Sequence, residues 1–124
     1  GFSGPENPFL PHNYVENCVA YTGTHDNNTA RGWLETTTEN ERAFALKYLN
    51  TIYDTFVWDL IRAVWSSVAS ISVTPMQDLL NLGGEARMNF PSTLGGNWEW
   101  RMKDEDMSVE LAEKFGELNW LYLR

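Results

Sequence analysis

Basic side chains are scarce in this sequence, and their scarcity excludes one large class of partner. The chain has 9 Lys and Arg against 17 Asp and Glu, which gives a formal net charge of -8 at pH 7. A nucleic-acid surface needs clustered cations that displace counterions from phosphates. We therefore predict no nucleic-acid partner, whereas a neutral ligand is compatible with this acidity.

Long apolar runs, glycine-rich phosphate loops and paired cysteines are missing as well. No stretch approaches the roughly 20 apolar residues of a membrane span, so we predict no membrane segment. The lone Cys18 cannot form an intrachain disulfide and is consistent with a reducing compartment, so we predict a cytoplasmic protein. His12 and His25 lack the close spacing of a metal site, and we predict neither a metal nor a cofactor.

Apolar runs and helical periodicities alternate along the chain and predict an α/β fold. Residues 18–21 are a short apolar run that predicts a buried strand, and residues 71–73 predict a second short strand. Between them, residues 29–36 and 39–50 predict two helices, and a third helix is predicted by apolar residues at helical spacing, Val57, Leu60, Ile61, Val64 and Val68. Strand, helices and strand in this order are typical of a parallel crossover unit.

Two irregular regions flank these elements. Residues 1–16 contain three prolines, and residues 76–102 are punctuated by Gly and Pro, so both predict loops. A loop as long as the second is usually functional. A last helix is predicted to begin at Asp106 or Ser108, and the apolar residues 120–123 are expected to dock against the core. We find no internal domain boundary.

A run of polar residues follows the first predicted strand and marks a candidate site. Thr22-Gly23-Thr24-His25-Asp26-Asn27 places an imidazole beside a carboxylate at a strand end. In open or barrel-shaped parallel sheets, ligands bind at that edge. The residue types alone also allow a structural role, in which Asp26 accepts backbone amides and caps the next helix.

Five motifs in sequence order resemble one enzyme family. They lie at residues 7–14, 21–27, 75–80, 85–89 and 96–98, and together they resemble the C-terminal part of 4-α-glucanotransferases (amylomaltases, or disproportionating enzymes; glycoside hydrolase family 77). The resemblance implies an α/β fold that is part of a (β/α)8 TIM barrel. Such a barrel needs roughly 250 residues, so residues 1–124 would hold its last two or three β/α units and be incomplete alone.

The resemblance also implies roles for individual residues. The whole enzyme would cleave an α-1,4-glucosidic bond with retention and pass the glucan to the 4-hydroxyl of another glucan or glucose. Asp26 would be the catalytic carboxylate that stabilises the transition state, and His25 would donate a hydrogen bond to a glucose hydroxyl. The other expected substrate-binding residues carry amide or guanidinium groups: Asn27, Gln77, Arg87 and Asn89.

Some positions leave a second interpretation open or depart from the family pattern. Arg87 could instead form an ion pair with Glu85 or Asp78 that holds the loop. The family carries Asp where this chain has Asn28, which affects a local hydrogen bond or salt bridge but not the role of Asp26. At least four of the six Trp are expected in the core, because large aromatic side chains are usually buried.

The two carboxylates that react with the sugar, the nucleophile and the acid/base, would precede residue 1 in this family. We therefore expect the isolated 124-residue chain to be inactive. Its expected partners are an α-1,4-glucan or maltooligosaccharide and the remaining segments of the same barrel, or a second copy through self-association. Two other functions remain open, a non-catalytic glucan-binding fragment and a self-associating structural fragment of the barrel.

Overall fold

A pair of short parallel strands lies at the centre of the computed structural model, which describes residues 1–124. Strand β1 (Val19–Tyr21) pairs with β2 (Ile71–Val73) in the register Val19 to Ile71, Ala20 to Ser72 and Tyr21 to Val73. Both strands and the parallel crossover were predicted from the sequence and are confirmed. No further strand is present, so the structure itself shows a mixed α/β unit with two strands.

The structure contains five α-helices. In chain order they are α1 (Ala30–Thr36), α2 (Glu39–Tyr48), α3 (Phe56–Trp65), α4 (Met76–Leu79) and α5 (Val109–Leu121). Thr29, Thr38 and Ser108 cap α1, α2 and α5, because each side-chain oxygen accepts a backbone N–H of the first turn. The short α4 interrupts a region that was predicted to be irregular. None of these helices combines the length and the apolar character that crossing a bilayer requires.

Helix α3 provides the largest part of the core. Its buried residues follow the 3.6-residue helical period and are Phe56, Val57, Leu60, Ile61, Val64 and Trp65. Leu34 of α1, Ala45 of α2 and Leu118 of α5 complete the same buried cluster. The predicted stripe is confirmed up to Val64, but Val68 lies beyond the end of α3 and is 60% exposed.

The two faces of the sheet differ sharply in burial. Ala20 faces the helices and is 4% exposed, which places it in the core. The side chains that point to the opposite face are all exposed: Val19 45%, Tyr21 48%, Ile71 55% and Val73 38%. The prediction of a buried first strand is therefore wrong for Val19 and Tyr21, because no element of residues 1–124 lies over this face.

The C-terminal residues are held by polar contacts. Arg124 donates hydrogen bonds to the carbonyls of Trp65, Ser67 and Ala69, at and just beyond the end of α3. Trp120 and Leu123 are 76% and 94% exposed. The expected apolar docking of residues 120–123 is therefore confirmed for Tyr122, which packs against the core, and wrong for Trp120, Leu121 and Leu123. The Arg124 guanidinium satisfies carbonyls that a helix end leaves free.

Asp78 of α4 ties three elements together from a buried position. Its Oδ1 accepts the Ala30 N–H at 2.8 Å, and its Oδ2 accepts the Thr22 hydroxyl at 2.7 Å. Thr22 also contacts the Thr74 hydroxyl at 2.9 Å. Burial raises the pKa of Asp78 above its ordinary value, although the hydrogen bonds from Ala30 and Thr22 oppose the rise.

Helix α1 passes close to the loop that follows α4, at a point where both chains have glycine. A Cβ on Gly32 would lie 2.8 Å from the Gly84 backbone nitrogen and would also overlap the Asn28 side-chain carbonyl. Real Cβ atoms essentially never approach that closely. The absence of a side chain at Gly32 therefore sets the distance between α1 and residues 83–86.

We predict that Gly32→Ala lowers the free energy of unfolding by about 1–3 kcal/mol, the usual cost of overpacking. Gly116→Ala is the matched control, since a Cβ there meets nothing within 4 Å in helix α5. That change should raise stability by about 0.5–1 kcal/mol, because Ala loses less backbone entropy than Gly in a helix. Urea unfolding of both variants measures the difference. Equal effects of the two substitutions would contradict the close contact at Gly32.

We also predict a pH dependence that originates at Asp78. Because its pKa is raised on folding, the folded state binds the proton more tightly than the unfolded chain. The stabilising contribution is complete below the ordinary pKa of 3.8 and is lost as pH rises through the raised value. The free energy of unfolding of the wild type, relative to that of Asp78→Asn, should therefore fall across this interval. A relative stability independent of pH would contradict the burial of an ionisable carboxyl.

Candidate functional site

The residues that follow the two strands meet at one edge of the sheet. Because β1 and β2 are parallel, residues 22–29 and residues 74–98 both leave from their carboxyl ends. The Thr22 N–H donates to the Val73 carbonyl at 3.2 Å, which extends the strand pairing by one residue. Every site residue predicted from the sequence lies in one of these two segments.

The Asp26 carboxylate is presented to solvent by two neighbouring side chains. Its Oδ1 accepts a hydrogen bond from the Asn89 side-chain amide at 2.7 Å and lies 3.3 Å from His25 Nε2. The second oxygen, Oδ2, has no partner in the chain, and the side chain is 47% exposed. Asp26 does not cap α1, because Thr29 and Asp78 satisfy the first N–H groups of that helix. The structural alternative considered for Asp26 is therefore not observed.

Arg87 binds the backbone of the site. Its Nη2 donates to the Asp26 carbonyl at 2.7 Å and its Nε donates to the Asn89 carbonyl at 2.9 Å. The guanidinium carbon also lies 4.1 Å from the centre of the Phe90 ring, within the range of a cation–π contact. The alternative ion pair with Glu85 or Asp78 is not formed. Arg87 therefore fixes the two residues whose side chains meet at 2.7 Å.

His25 is positioned by the backbone and by an aromatic neighbour. Its carbonyl accepts the Asn89 N–H at 3.1 Å. Its ring lies 5.1 Å from the ring centre of Trp98 and is tilted by 37°. Trp98 adopts a φ of 63°, in the left-handed region that large side chains rarely occupy, and its N–H donates to the Met88 carbonyl at 2.7 Å. Backbone strain of this kind is concentrated at functional sites.

Trp98 is also a correction to the sequence prediction, which placed at least four of the six Trp in the core. Only Trp65 is buried, and Trp33 and Trp58 pack against the core from partly buried positions. Trp98 is 58% exposed beside His25. Its neighbour Asn97 explains this placement, because the Asn97 side chain accepts the Phe90 N–H and closes the loop that carries Trp98.

A polar cleft of about 170 Å³ lies beside these residues. Its walls include His25, Asn27, Gln77, Arg87 and Trp98. The Asp26 and Asn89 side chains do not line the concavity itself and stand on its rim, next to His25. A rim carboxylate with one unpaired oxygen can accept hydrogen bonds from a polyhydroxylated ligand in the cleft.

Asn27 and Gln77 make internal contacts that shape this cleft. The Asn27 side-chain carbonyl accepts hydrogen bonds from the Thr24 N–H at 2.9 Å and the Thr24 hydroxyl at 3.1 Å. The buried Gln77 amide donates to the Ala86 carbonyl at 3.2 Å. Both residues therefore hold loops in place while they line the cleft.

The two histidines of the chain lie in separate parts of the structure. His12 is bonded to the Tyr48 hydroxyl at 2.8 Å and does not join His25. No group of three or more His, Cys, Asp or Glu side chains has the arrangement of a metal site. The chemistry available here is hydrogen bonding and electrostatics from Asp26, His25, Arg87 and Asn89.

Sequence reasoning did not identify Trp98 and Asp78 as parts of the site. Asp78 was considered only as an ion-pair partner for Arg87, and its contacts with Thr22 and Ala30 join residues 48 or more positions apart. The available signal in the sequence was that Thr22 and Thr74 each directly follow a predicted strand. Residues at such positions share one sheet edge, and a buried acid nearby is an expected partner for their hydroxyl groups.

Comparisons with known proteins show which family this chain is similar to. The family profile of 4-alpha-glucanotransferases, glycoside hydrolase family 77, matches residues 1–108. The 4-alpha-glucanotransferase of Clostridium butyricum is 55% identical over 120 residues, which is 95% of this chain and 25% of that protein. The chloroplastic/amyloplastic 4-alpha-glucanotransferase of Solanum tuberosum is 52% identical over 101 residues, 81% of this chain and 18% of that protein.

A solved structure shows the same arrangement of the backbone. The amylomaltase from Streptococcus agalactiae in complex with acarbose superposes with a TM-score of 0.91 at 37% identity, covering 99% of this chain and 25% of that one. The chain therefore spans about a quarter, or less, of the length of these proteins. The family match over residues 1–108, together with the shared fold, shows that this chain belongs to the 4-alpha-glucanotransferase family.

Proposed function

We propose that residues 1–124 are the C-terminal part of the catalytic (β/α)8 barrel of a retaining 4-α-glucanotransferase, without an internal domain boundary. The observation that carries this proposal is the exposed Asp26 carboxylate, which is held by His25 and Asn89 at the carboxyl edge of a parallel strand pair. Catalytic groups of (β/α)8 enzymes come from that edge.

The exposed face of the strand pair supports the barrel assignment. Val19, Tyr21, Ile71 and Val73 point to the same side and are all exposed. Branched and bulky side chains in that position are typical of a barrel interior, which further strands would close. The remaining three quarters of a relative's length are enough to supply those strands. Other segments of the same barrel are therefore the proposed partner of this face.

Asp26 is the proposed transition-state stabiliser. Retaining cleavage passes through an oxocarbenium-like state, in which positive charge spreads over the anomeric carbon and the ring oxygen. The free Oδ2 of Asp26 accepts sugar hydroxyls, whose polarity rises as that charge develops, so this contact is stronger in the transition state than in the ground state. The hydrogen bond from Asn89 to Oδ1 keeps the carboxylate from rotating away.

The surrounding polar groups are the proposed substrate-binding set. The His25 side chain, 57% exposed, donates a hydrogen bond to a glucose hydroxyl. The Asn89 amide has a second N–H and a carbonyl for the same sugar, while Arg87, Asn27 and Gln77 hold the loops around it. The ligand is an α-1,4-glucan or maltooligosaccharide, which is neutral and is not repelled by the net charge of -8.

The nucleophile and the acid/base are proposed to come from parts of the enzyme outside residues 1–124. Asp78, the one carboxylate that lines the cleft, is buried and accepts two hydrogen bonds. Asp26 alone cannot supply the two carboxylates, about 5–5.5 Å apart, that retention requires. A covalent glycosyl intermediate that is shielded from water then reacts with a 4-hydroxyl of another glucan.

The compartment is inferred from one residue. Cys18 is a free thiol without a disulfide partner, which is consistent with a reducing environment such as the cytoplasm. The relative from Solanum tuberosum carries a plastid location in its name, so the compartment differs among members of the family.

We predict that Asp26→Asn in the full-length protein lowers the rate of glucose release from maltotriose roughly 100-fold or more, because the amide lacks the charge that opposes the sugar cation. Asp54→Asn is the matched control, since Asp54 is an exposed carboxylate remote from the cleft. Its rate should equal that of the wild type. The far-ultraviolet circular dichroism of both variants should be unchanged. Normal transfer by Asp26→Asn would refute the assigned role, and glucose release by residues 1–124 alone would refute the proposed origin of the other carboxylates.

We further predict that Arg87→Lys lowers kcat roughly tenfold. A lysine keeps the positive charge but cannot donate to the Asp26 and Asn89 carbonyls at the same time. A small displacement of a catalytic group is enough for such a loss. Arg31→Lys is a suitable control, because Arg31 pairs with Glu35 on the surface of α1. The same kcat for the two variants would show that charge alone, without the forked geometry, is sufficient at position 87.

A further inference from the structure

Asp78 is the one ionisable residue among the buried residues of the chain, with 2% exposure. The proposed reaction gives it no chemical step. Burying a carboxylate is unfavourable unless hydrogen bonds compensate for the lost water. Asp78 lines the cleft but takes no part in the reaction. Its function therefore comes from the hydrogen bonds that it accepts.

Each oxygen of Asp78 holds one end of the same loop. Oδ2 accepts the hydroxyl of Thr22, the first residue after β1, at 2.7 Å. Oδ1 accepts the N–H of Ala30, the first residue of α1, at 2.8 Å. Residues 23–29 lie between these two points and include His25 and Asp26. One side chain therefore fixes the separation between the two ends of the loop that carries the proposed catalytic carboxylate.

The tip of this loop is held by the same stretch of chain. The Asn89 N–H donates to the His25 carbonyl at 3.1 Å, and Arg87 donates to the Asp26 carbonyl at 2.7 Å. Asp78, Arg87 and Asn89 all follow β2. Displacing the ends of the loop while its tip stays bonded would tilt the Asp26 side chain relative to the cleft.

We propose that Asp78 is a positioning residue, which clamps both ends of residues 23–29 and so sets where the Asp26 carboxylate stands when the sugar cation forms. The catalytic part of this inference rests on the proposed function. The clamp itself rests only on the contacts of Asp78 with Thr22 and Ala30. A misplaced Asp26 carboxylate stabilises the transition state less well, so kcat falls while KM stays nearly unchanged.

Two threonines provide a matched pair of variants that avoid removing the buried acid. Thr22→Val removes the hydroxyl that donates to Asp78 and keeps the branched shape. Thr74→Val removes only the contact between the two hydroxyls and leaves the bond from Thr22 to Asp78 in place. In the full-length protein, Thr22→Val should lower kcat for maltotriose roughly tenfold with KM within about twofold of wild type. Thr74→Val should retain wild-type values.

Substitutions of Asp78 itself provide a rescue test. In Asp78→Asn, Oδ1 can still accept the Ala30 N–H, and the new amide can donate to the Thr22 oxygen, so kcat should stay within about threefold of wild type. Asp78→Ala removes both bonds and leaves the Ala30 N–H without its partner, so kcat should fall roughly 100-fold. If Asp78→Ala does not fold, the threonine pair carries the test.

Amide hydrogen exchange separates positioning from a general loss of stability. The N–H groups of Asn27 and Asn89 donate to the Thr24 and His25 carbonyls and report on the loop directly. Their exchange should accelerate roughly tenfold in Thr22→Val and remain unchanged in Thr74→Val. Leu118→Ala is the stability control, because it opens a cavity in the core at α5. Under native conditions it should change neither kcat nor the local exchange at Asn27 and Asn89.

The possible outcomes distinguish the clamp from the reaction. Equal kcat and equal exchange for Thr22→Val and Thr74→Val would overturn the clamp, as would a loss of kcat in Leu118→Ala as large as that in Thr22→Val. A wild-type protein that transfers no glucan would refute the proposed function instead. The exchange measurements would then still decide whether Asp78 holds the loop.

Discussion

The parallel pairing of β1 and β2 is the constraint on which the rest of this structure depends. Two strands of three residues each contribute little burial, yet their direction sends residues 22–29 and residues 74–98 to the same edge. Several contacts of the site then join one segment to the other, from Thr22 with Asp78 to Asp26 with Asn89. An antiparallel arrangement of the same strands would place the two segments at opposite ends.

The freedom of Asp26 follows from how the neighbouring hydrogen bonds are distributed. The first N–H groups of α1 need acceptors, and an acid directly before a helix would ordinarily provide them. Thr29 and Asp78 accept those groups instead, so the Asp26 carboxylate turns outward. An exposed carboxylate oxygen without an internal partner is available for a ligand. The structural residues therefore determine the chemical role of the catalytic candidate.

The parts of the fold with local causes were predicted from the sequence. Periodicity and caps identified α1, α2, α3 and α5, and the short apolar runs identified both strands. The burial of individual side chains was predicted less well. Whether Val19, Ile71 and Trp120 are exposed depends on which elements lie next to them in space. The local sequence pattern does not indicate which elements will cover a side chain.

The site was predicted in part for the same reason. The resemblance to a family located Asp26, His25 and Asn89, and the structure brings them within hydrogen-bonding distance of one another. The contact of the exposed Trp98 ring with His25 and the contacts of Asp78 with Thr22 and Ala30 join residues far apart in sequence. Spacing along the chain contains no information about such contacts. Asn28, where the resemblance to the family implies an acid, sits where α1 and residues 83–86 come close together. Its side-chain oxygen accepts the Thr29 N–H, a bond that an aspartate of the same size would also make, and the start of a helix favours negative charge. An amide and an acid of the same size can therefore replace each other at position 28 without a change in packing, whereas a Cβ on Gly32 would collide with Asn28 and with the Gly84 backbone. Drift at this junction is limited by volume and is tolerant of charge.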